Sequence, residues 1–423
     1  MHKKTTLKNG LRIITAPMEG TQTVTVLVLV GTGSKYETKD INGLSHFLEH
    51  LFFKGTKKRP NTLAIAETLD KVGGEYNAFT SQEMTGYWAK VDAGHLDLAL
   101  DWVSDIFLNS KLDEKEIERD RGVILEELNM YLDMPIKHIS NLWTDLLYGD
   151  QPAGWRVIGA KEAIKSVKRP QFINYFKNHY LSKNTLITVA GKIDSDDTVK
   201  KIEKYFSKIQ IGQSKTKLKV KEKQNRPMSL IHYKKTDQTH LYLGVRAYDM
   251  FHPDKYALGI LATILGGYMS SRLWIRVRER EGLGYYIRTG AETDTDAGYL
   301  ATRAGIDNQR VDRAIKLILD EYKRIREKKV GQEELKKAKD NIKGGTLLDM
   351  ESSDEQASFY AGQELLTNKI LTLEEKFAKI DKVTVNDVHR VARDILKPSK
   401  LNLALIGPFK DKERFQKILN SNF

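Results

Sequence analysis

The chain is 423 residues long, and its 40% hydrophobic and 30% charged residues are the balance of a folded globular protein with room for two domains. Its formal net charge is +13, but the lysines are scattered among acidic residues, so a nucleic-acid-binding function would rest on charge alone. The chain has no cysteine, which excludes disulfides, thiolate nucleophiles and cysteine zinc ligands. Any metal must therefore be held by histidine and carboxylate groups.

The first half of the chain predicts an alternation of strands and helices. Asn61 is suited to cap the second helix, because its side-chain oxygen can accept a hydrogen bond from the first turn. Gly73 and Gly74 precede a hairpin rich in β-branched and aromatic residues. In chain order, the pattern predicts strands at 11–16 and 24–30, helices at 43–53 and 61–72, a hairpin within 76–91, helices at 95–109 and 113–132, and a strand at 185–190.

The second half repeats this outline. Gly191 and Gly407 each close a strand and lie 216 residues apart, and the same offset carries Gly43 onto Gly259. We expect two diverged copies of one α/β unit, with domains at 1–206 and 227–423 joined by a basic linker or edge segment at 207–226. The second copy is predicted to have strands at 239–247, within 285–303 and at 401–406, and helices at 255–265 and 311–328.

The segment Gly43–His50 reads Gly-Leu-Ser-His-Phe-Leu-Glu-His on a predicted helix. Residues i and i+4 lie on one face of a helix, so His46 and His50 can present ring nitrogens to one ion. Glu49 lies on the same side and can reach the position where a catalytic zinc keeps its water. Glu49 is therefore the candidate general base, which takes a proton from that water and passes it to the leaving amine.

A catalytic zinc normally takes three protein ligands, and the helix at 113–132 offers the third. Glu127 lies partly inward on this helix, whereas Glu126 lies about 100° round the axis and is expected to face solvent. Asp120 lies two turns before Glu127 on the same face, where it can support a ligand from behind. The same offset of 216 replaces the residues of the first helix by groups that bind no metal, namely Ala262, Leu265 and Gly266.

Several further motifs accompany the HxxEH segment along nearly the whole chain. They are Phe53-Lys-Gly-Thr56, Gly73-Gly74, Asn77-Ala78, Val123-Ile-Leu-Glu-Glu127, Gly266-Gly267-Tyr-Met-Ser-Ser-Arg272 and Arg278-Glu-Arg-Glu-Gly-Leu-Gly-Tyr285. With these motifs the sequence resembles the pitrilysin/insulinase family of zinc peptidases, the inverzincins, and in particular the bacterial homologues of mitochondrial processing peptidase. The resemblance implies an α+β fold of two homologous α/β domains, of the LuxS/processing-peptidase-like metalloenzyme type. Each domain would be a mainly antiparallel sheet with helices packed on it.

The resemblance also implies roles for individual residues. It makes His46, His50 and Glu127 the ligands of one Zn²⁺ per chain, with Glu49 as the general base of a metalloendopeptidase and Asp120 behind the ligands. An edge strand would pair with an extended substrate peptide through its backbone. The residues of that strand are Asn77, Ala78, Phe79 and Thr80. Arg278 and Tyr285 match the family's pair that contacts the substrate and the developing oxyanion.

In that family four homologous domains enclose a chamber, and this chain supplies two. The resemblance therefore implies a homodimer in which Arg278 and Tyr285 of one chain face the zinc of the other. Substrates would be extended or unfolded peptides, with no nucleic-acid or membrane partner. No run approaches the ~18 apolar residues of a bilayer span, and no secretory signal opens the chain. These features favour a cytoplasmic protein.

Two departures from the family pattern and one alternative stay open. Asp120 stands where family members usually carry glutamate, and Gln151-Pro-Ala-Gly154 stands where His-Pro-x-Gly is common. Neither departure removes a zinc ligand. The alternative is a non-catalytic or partner-dependent subunit of a processing-peptidase-like complex.

Overall fold

The computed structural model describes residues 2–421, which form two sheets with helices packed on them. The strands of the first sheet are β1 Lys3–Thr6, β2 Arg12–Pro17, β3 Thr23–Val30, β4 Glu75–Thr80, β5 Thr85–Asp92 and β6 Thr185–Gly191. Those of the second sheet are β7 Met228–Tyr233, β8 Gln238–Arg246, β9 Gly284–Thr293, β10 Gly298–Asp307 and β11 Leu401–Gly407.

The helices lie between these strands in chain order. In the first half they are α1 Leu44–Leu51, α2 Thr62–Asp70, α3 Leu96–Asn109, α4 Glu114–Asp133, α5 Pro135–Tyr148, α6 Lys161–Ser166, α7 Arg169–His179 and α8 Ser195–Tyr205. In the second half they are α9 Lys255–Gly266, α10 Val311–Glu327, α11 Gln332–Asp349, α12 Ser353–Thr367, α13 Leu373–Asp381, α14 Val385–Ile395 and α15 Glu413–Ser421. A π-helical segment covers Trp274–Arg280.

The predicted elements are confirmed, with ends that shift by a few residues. Asn61 caps α2 as expected, because its side-chain oxygen accepts a hydrogen bond from the Ala64 amide at 2.9 Å. No helix or strand of the described chain falls within the predicted linker at 207–226. Among residues 2–421, none of the helices combines the length and the apolar character that a bilayer span requires.

The two sheets repeat one topology. The first has the order β1-β2-β6-β3-β5-β4 and the second β7-β11-β8-β10-β9, so that removing β1 leaves the same arrangement. In each copy one pair is parallel, β2 with β6 and β7 with β11, and the remaining neighbours are antiparallel. The prediction of two homologous α/β domains with mainly antiparallel sheets is therefore confirmed.

Each half of the chain contributes a helix to the other sheet. The first compact unit comprises the chain up to Leu128, Trp155–Leu218 and Leu347–Ile370, and the second comprises the remainder. In the first unit α12 lies on the first sheet, where its Glu364 pairs with Arg12 at 3.1 Å. In the second unit α5 lies on the second sheet, with the Trp143 ring 5.7 Å from that of Tyr242. The predicted domains are continuous stretches of the chain, whereas each compact unit is assembled from three separate stretches.

Helix α1 has a buried face and a half-exposed face. Phe47 and Leu48 are fully buried, and the Phe47 ring meets that of Phe172 edge-on with centroids 4.9 Å apart. His46, Glu49 and His50 lie half-buried on the remaining surface of the helix. Burial of one face therefore fixes the direction in which the polar residues of α1 point.

Candidate metal centre

Three side chains from α1 and α4 converge on one point. Ligand atoms of His46, His50 and Glu127 all lie within 4.8 Å of one another. The Nε2 atoms of His46 and His50 are 3.7 Å and 3.6 Å from Oε2 of Glu127. The i, i+4 spacing on α1 brings the two rings together, with centroids 4.7 Å apart and planes tilted by 56°. The structure thus brings together the three residues that the sequence singled out as metal ligands.

The geometry and chemistry of this set fit zinc. Two ligand atoms at ~2.0–2.1 Å from a tetrahedral zinc lie about 3.3–3.4 Å apart, close to the separations of 3.7 Å and 3.6 Å between Glu127 and the two histidines. Burial lowers the pKa of His46 to about 3, and the charge of His50 adds to the effect, so His46 is neutral near pH 7. A neutral imidazole has the lone pair that a metal requires. Two imidazoles and one carboxylate are a donor set that zinc accepts.

Asp120, predicted to support the ligands, lies behind His50. Its Oδ2 is 3.2 Å from His50 Nδ1, which leaves His50 Nε2 directed at Glu127. Burial lowers the pKa of His50, but the hydrogen bond to Asp120 and the nearby carboxylates outweigh burial and raise it. A carboxylate in this position fixes the ring orientation and the tautomer of a histidine ligand.

Lys54 is a member of this group that sequence reasoning missed. Its Nζ lies 2.5 Å from Oδ1 of Asp120. Burial acts to raise the pKa of Asp120, but its contacts with His50 and Lys54 hold that pKa below its usual range. Lys54 follows His50 by four residues, the helical spacing, and this was the signal available in the sequence. The lysine keeps Asp120 ionised as the partner of His50.

Glu49 lies beside the converging ligands and is held by a strand residue. The Thr80 hydroxyl donates a hydrogen bond to Oε2 of Glu49 at 2.5 Å. Burial raises the pKa of Glu49, and the negative charge of Glu127 adds to it, while Thr80 and His50 partly offset the rise. Thr80, predicted to bind substrate, therefore also orients the candidate general base.

The other residues predicted to bind substrate lie on β4, the last strand of the first sheet. Within the described residues β4 pairs with β5 alone, so its other edge is open. Asn77 is exposed, and its side-chain oxygen accepts a hydrogen bond from the Ala78 amide at 2.8 Å. Phe79 packs over Gly86 of β5, where a Cβ would come within 2.5 Å of its ring. The strand offers backbone groups to a partner strand.

Arg278 and Tyr285 form a cluster in the second unit. The Arg278 guanidinium lies 4.3 Å from the centroid of the Trp274 ring and 5.7 Å from that of Tyr285. Tyr285 is 76% exposed, which is unusual for a large aromatic side chain and leaves its hydroxyl accessible. The pair is therefore preorganised by aromatic stacking within its own unit.

The corresponding helix of the second copy, α9, carries no such site. Ala262, Leu265 and Gly266 are all buried in the core of the second unit. At Gly266 a Cβ would come within 2.5 Å of the Thr289 backbone nitrogen on β9. The surface of α9 that corresponds to the polar surface of α1 is therefore packed into the core.

Comparison with models of protein families gives two matches. Residues 12–161 match the model described as Insulinase (Peptidase family M16). Residues 166–342 match the model described as Peptidase M16 inactive domain. The first match contains His46, Glu49, His50 and Glu127, and the second contains α9.

Similar proteins match over nearly the whole chain. An uncharacterized zinc protease of Bacillus subtilis is 35% identical over 408 residues, which is 96% of this chain and 98% of that protein. Another, from Streptomyces coelicolor, is 33% identical and covers 97% of this chain and 90% of its own. A crystallised protease from Helicobacter pylori has a TM-score of 0.90 at 26% identity, over 96% of this chain and 100% of its own.

The likeness in fold extends beyond proteins described as proteases. A chain of Complex III2 from Candida albicans has a TM-score of 0.85 at 19% identity, over 99% of each chain. This likeness concerns the fold alone. The activity must therefore be argued from the side chains of the site.

Proposed function

The chain belongs to the insulinase family of peptidases, family M16, and on that premise we propose that it is a zinc metalloendopeptidase. The observation that carries the proposal is the convergence of His46, His50 and Glu127, with Glu49 beside them. A half-buried carboxylate next to a set of potential metal ligands is an arrangement suited to metal-assisted hydrolysis.

The proposed roles follow from the atoms that face one another. His46 and His50 would each give one ring nitrogen to the zinc, and Glu127 one carboxylate oxygen. When bound, zinc supplies a Lewis acid that polarises the scissile carbonyl and lowers the pKa of water. Glu49 would take a proton from the attacking water and return it to the leaving amine nitrogen. Because Thr80 occupies Oε2 of Glu49, Oε1 remains for that proton.

We assign the open edge of β4 to the substrate. An extended peptide would add a strand beside Asn77–Thr80 and exchange backbone hydrogen bonds with it, so that the Ala78 amide would leave the Asn77 side chain for a peptide carbonyl. Recognition through the backbone favours extended or unfolded peptides of varied sequence. A peptide bound along this strand would lie next to the proposed general base, because Thr80 at the end of the strand is hydrogen-bonded to Glu49.

The Arg278 and Tyr285 pair would act on the substrate in a homodimer. Its donors suit the developing oxyanion, and the family resemblance implies that it would face the zinc of the second chain. Mixing a Glu49→Gln chain with an Arg278→Ala chain tests this arrangement, since each mixed dimer would regain one intact site. Activity above that of both parents is expected. Verified mixed dimers without recovery contradict the pairing in trans.

The central experiment is cleavage of a quenched fluorogenic peptide library by the purified protein and by Glu49→Gln, with zinc content measured for both. The variant is expected to keep its zinc and to lose about 10²–10⁴-fold in rate, the usual contribution of a general base. Chelation should abolish cleavage and added zinc should restore it. A folded, zinc-loaded dimer that cleaves nothing would contradict the proposal and favour a non-catalytic or partner-dependent subunit.

A further inference from the structure

Helix α1 begins in an unusual way for a helix that carries a metal site. It has only eight residues, and helices this short are marginal without outside support. Its N-cap residue is Gly43, which has a left-handed backbone with φ of 97° and no side chain to cap the first turn. The free amide groups of that turn therefore need acceptors from elsewhere in the chain.

Glu37 supplies those acceptors from six residues before Gly43. Its Oε2 accepts a hydrogen bond from the Gly43 amide at 2.7 Å and another from the Asn42 side chain at 3.0 Å. Its Oε1 accepts from the Ser45 amide at 2.7 Å. The carboxylate thus spans the first turn of α1, with a different oxygen bound at each side of that turn.

This carboxylate is retained at a cost. Glu37 is 3% exposed, and burial raises its pKa to about 7, although the hydrogen bonds from Ser45, Gly43 and Asn42 oppose that rise. These three partners are all donors, which suits an acceptor with two free oxygens. At the start of α1 this buried acid therefore serves as the hydrogen-bond acceptor of the free amide groups.

The two histidines of α1 differ in how they are supported. His50 is held from behind by Asp120. In contrast, Nδ1 of His46 is buried and has no hydrogen-bond partner among the described residues. His46 directly follows Ser45, so the backbone of the first turn sets the position of its ring. Ser45 is fixed a second time by its hydroxyl, which lies 2.7 Å from the Tyr175 hydroxyl.

We propose that Glu37 is a positioning residue for the metal centre, acting through the first turn of α1 to place His46 opposite Glu127. This inference rests on the proposed zinc site and adds a residue that touches neither the metal nor the substrate. Its effect is local, since His50 has its own support in Asp120.

The test compares Glu37→Gln with Glu364→Gln. Glu364 is a matched control because it is also a buried carboxylate of the first unit, 1% exposed, and it lies on α12, where it pairs with Arg12 and Lys4 rather than with α1. The amide side chain introduced by Glu37→Gln can accept at one oxygen only, and its NH₂ group would face the donor at the other side of the turn. Zinc affinity by chelator competition, the visible absorption of the Co²⁺ form and the melting temperature of the metal-free protein are measured for each.

Glu37→Gln is expected to weaken zinc binding by about 10–100-fold, the range seen when a ligand loses its outer support, and to change the Co²⁺ spectrum. Glu364→Gln should lower the melting temperature about as much as Glu37→Gln does, but it should keep the zinc affinity and the Co²⁺ spectrum of the wild type. Equal zinc affinities in the two variants would overturn the inference. A wild-type protein that binds no zinc would instead overturn the proposed function.

A second variant covers the case in which Glu37→Gln does not fold. Asn42→Ala removes one donor to Glu37 and leaves the carboxylate in place. It should weaken zinc binding by a smaller factor, and hydrogen exchange at the Gly43 and Ser45 amides should quicken in the metal-free protein. Unchanged zinc affinity together with quickened exchange contradicts the inference, because the turn would then have loosened without moving His46.

Discussion

Helices α1 and α9 occupy the same place in two copies of one topology, yet of these two helices only α1 carries potential metal ligands. In α1 the residues at the decisive positions are half-buried and face Glu127 of α4. In α9 they are buried and packed, and Gly266 approaches β9 so closely that no side chain fits there. At α1 the neighbouring strand, β4, makes a polar contact, because the Thr80 hydroxyl donates a hydrogen bond to Glu49.

Both copies of the fold place a helix on a sheet, and the contact between the helix and the sheet decides which side chains the helix can carry. A tight contact, as at Gly266 and Thr289, contributes packing. At α1, polar residues of the helix and the strand face one another instead, and the proposed zinc and peptide would bind beside them. Such polar groups cost stability, because each buried polar or charged group must be supported individually.

The largest effect is expected from giving α1 a residue of α9. His46→Ala places in α1 the residue found at Ala262, and it removes a ligand rather than a support. Zinc affinity should fall by more than the ~10–100-fold typical of a lost outer partner, and peptide cleavage should disappear. Isothermal titration with zinc and the cleavage assay measure the two losses.

Glu126→Ala is the matched control for that prediction. Glu126 adjoins Glu127 on α4 but lies exposed and outside the converging set. The control should bind zinc as the wild type does. Zinc bound equally well by His46→Ala would show that the metal lies elsewhere.

The next effect concerns the support behind His50. Asp120→Asn keeps the shape of the side chain and removes its charge, so His50 loses a charge-assisted partner and Lys54 loses its counterion. Zinc affinity is expected to drop by about 10–100-fold, with Lys54→Met smaller in the same direction. Competition with a chromogenic chelator checks both. If Asp120→Asn binds zinc within about twofold of the wild type, well short of that range, Asp120 does not support the ligand.

The smallest effect is on stability in the second copy. Gly266→Ala should destabilise the protein by about 1–3 kcal/mol, because the new methyl group meets backbone that cannot withdraw. Gly259→Ala, on the same helix with nothing within 4 Å of the new atom, should stabilise it by about 0.4–1 kcal/mol. Urea unfolding measures both. The two substitutions shifting stability in the same direction would contradict the close contact between α9 and β9.

The sequence predicted those parts of the molecule that depend on local spacing. The i, i+4 histidines, the inward face of Glu127 and the cap at Asn61 follow from helical periodicity, and the repeat follows from a constant offset. The interaction partners of these residues could not be predicted from the sequence, because such pairings depend on contacts between elements that are distant in the chain. Thr80 reaches Glu49 across 31 positions of the chain, and α5 and α12 lie on the sheets of the opposite halves.

Glu37 was missed for a different reason. A capping residue normally adjoins its helix, and the sequence places Gly43 there instead. Only the path of the chain between Glu37 and Gly43 shows that the acid folds back onto the first turn. Lys54 had a visible spacing from His50, but a lysine near a helix end is so common that the spacing alone gave no reason to select it.

The placement of α12 has a consequence for how the protein is made. The first sheet is complete in sequence at Gly191, but α12, one of the helices that lie on it, ends only at Thr367. During synthesis, which proceeds from the N-terminus, the nascent first unit must therefore wait with one face uncovered until most of the chain has left the ribosome. The half of the chain that carries the potential metal ligands is synthesised first but completes its packing late, and in that interval its uncovered sheet face is open to chaperones.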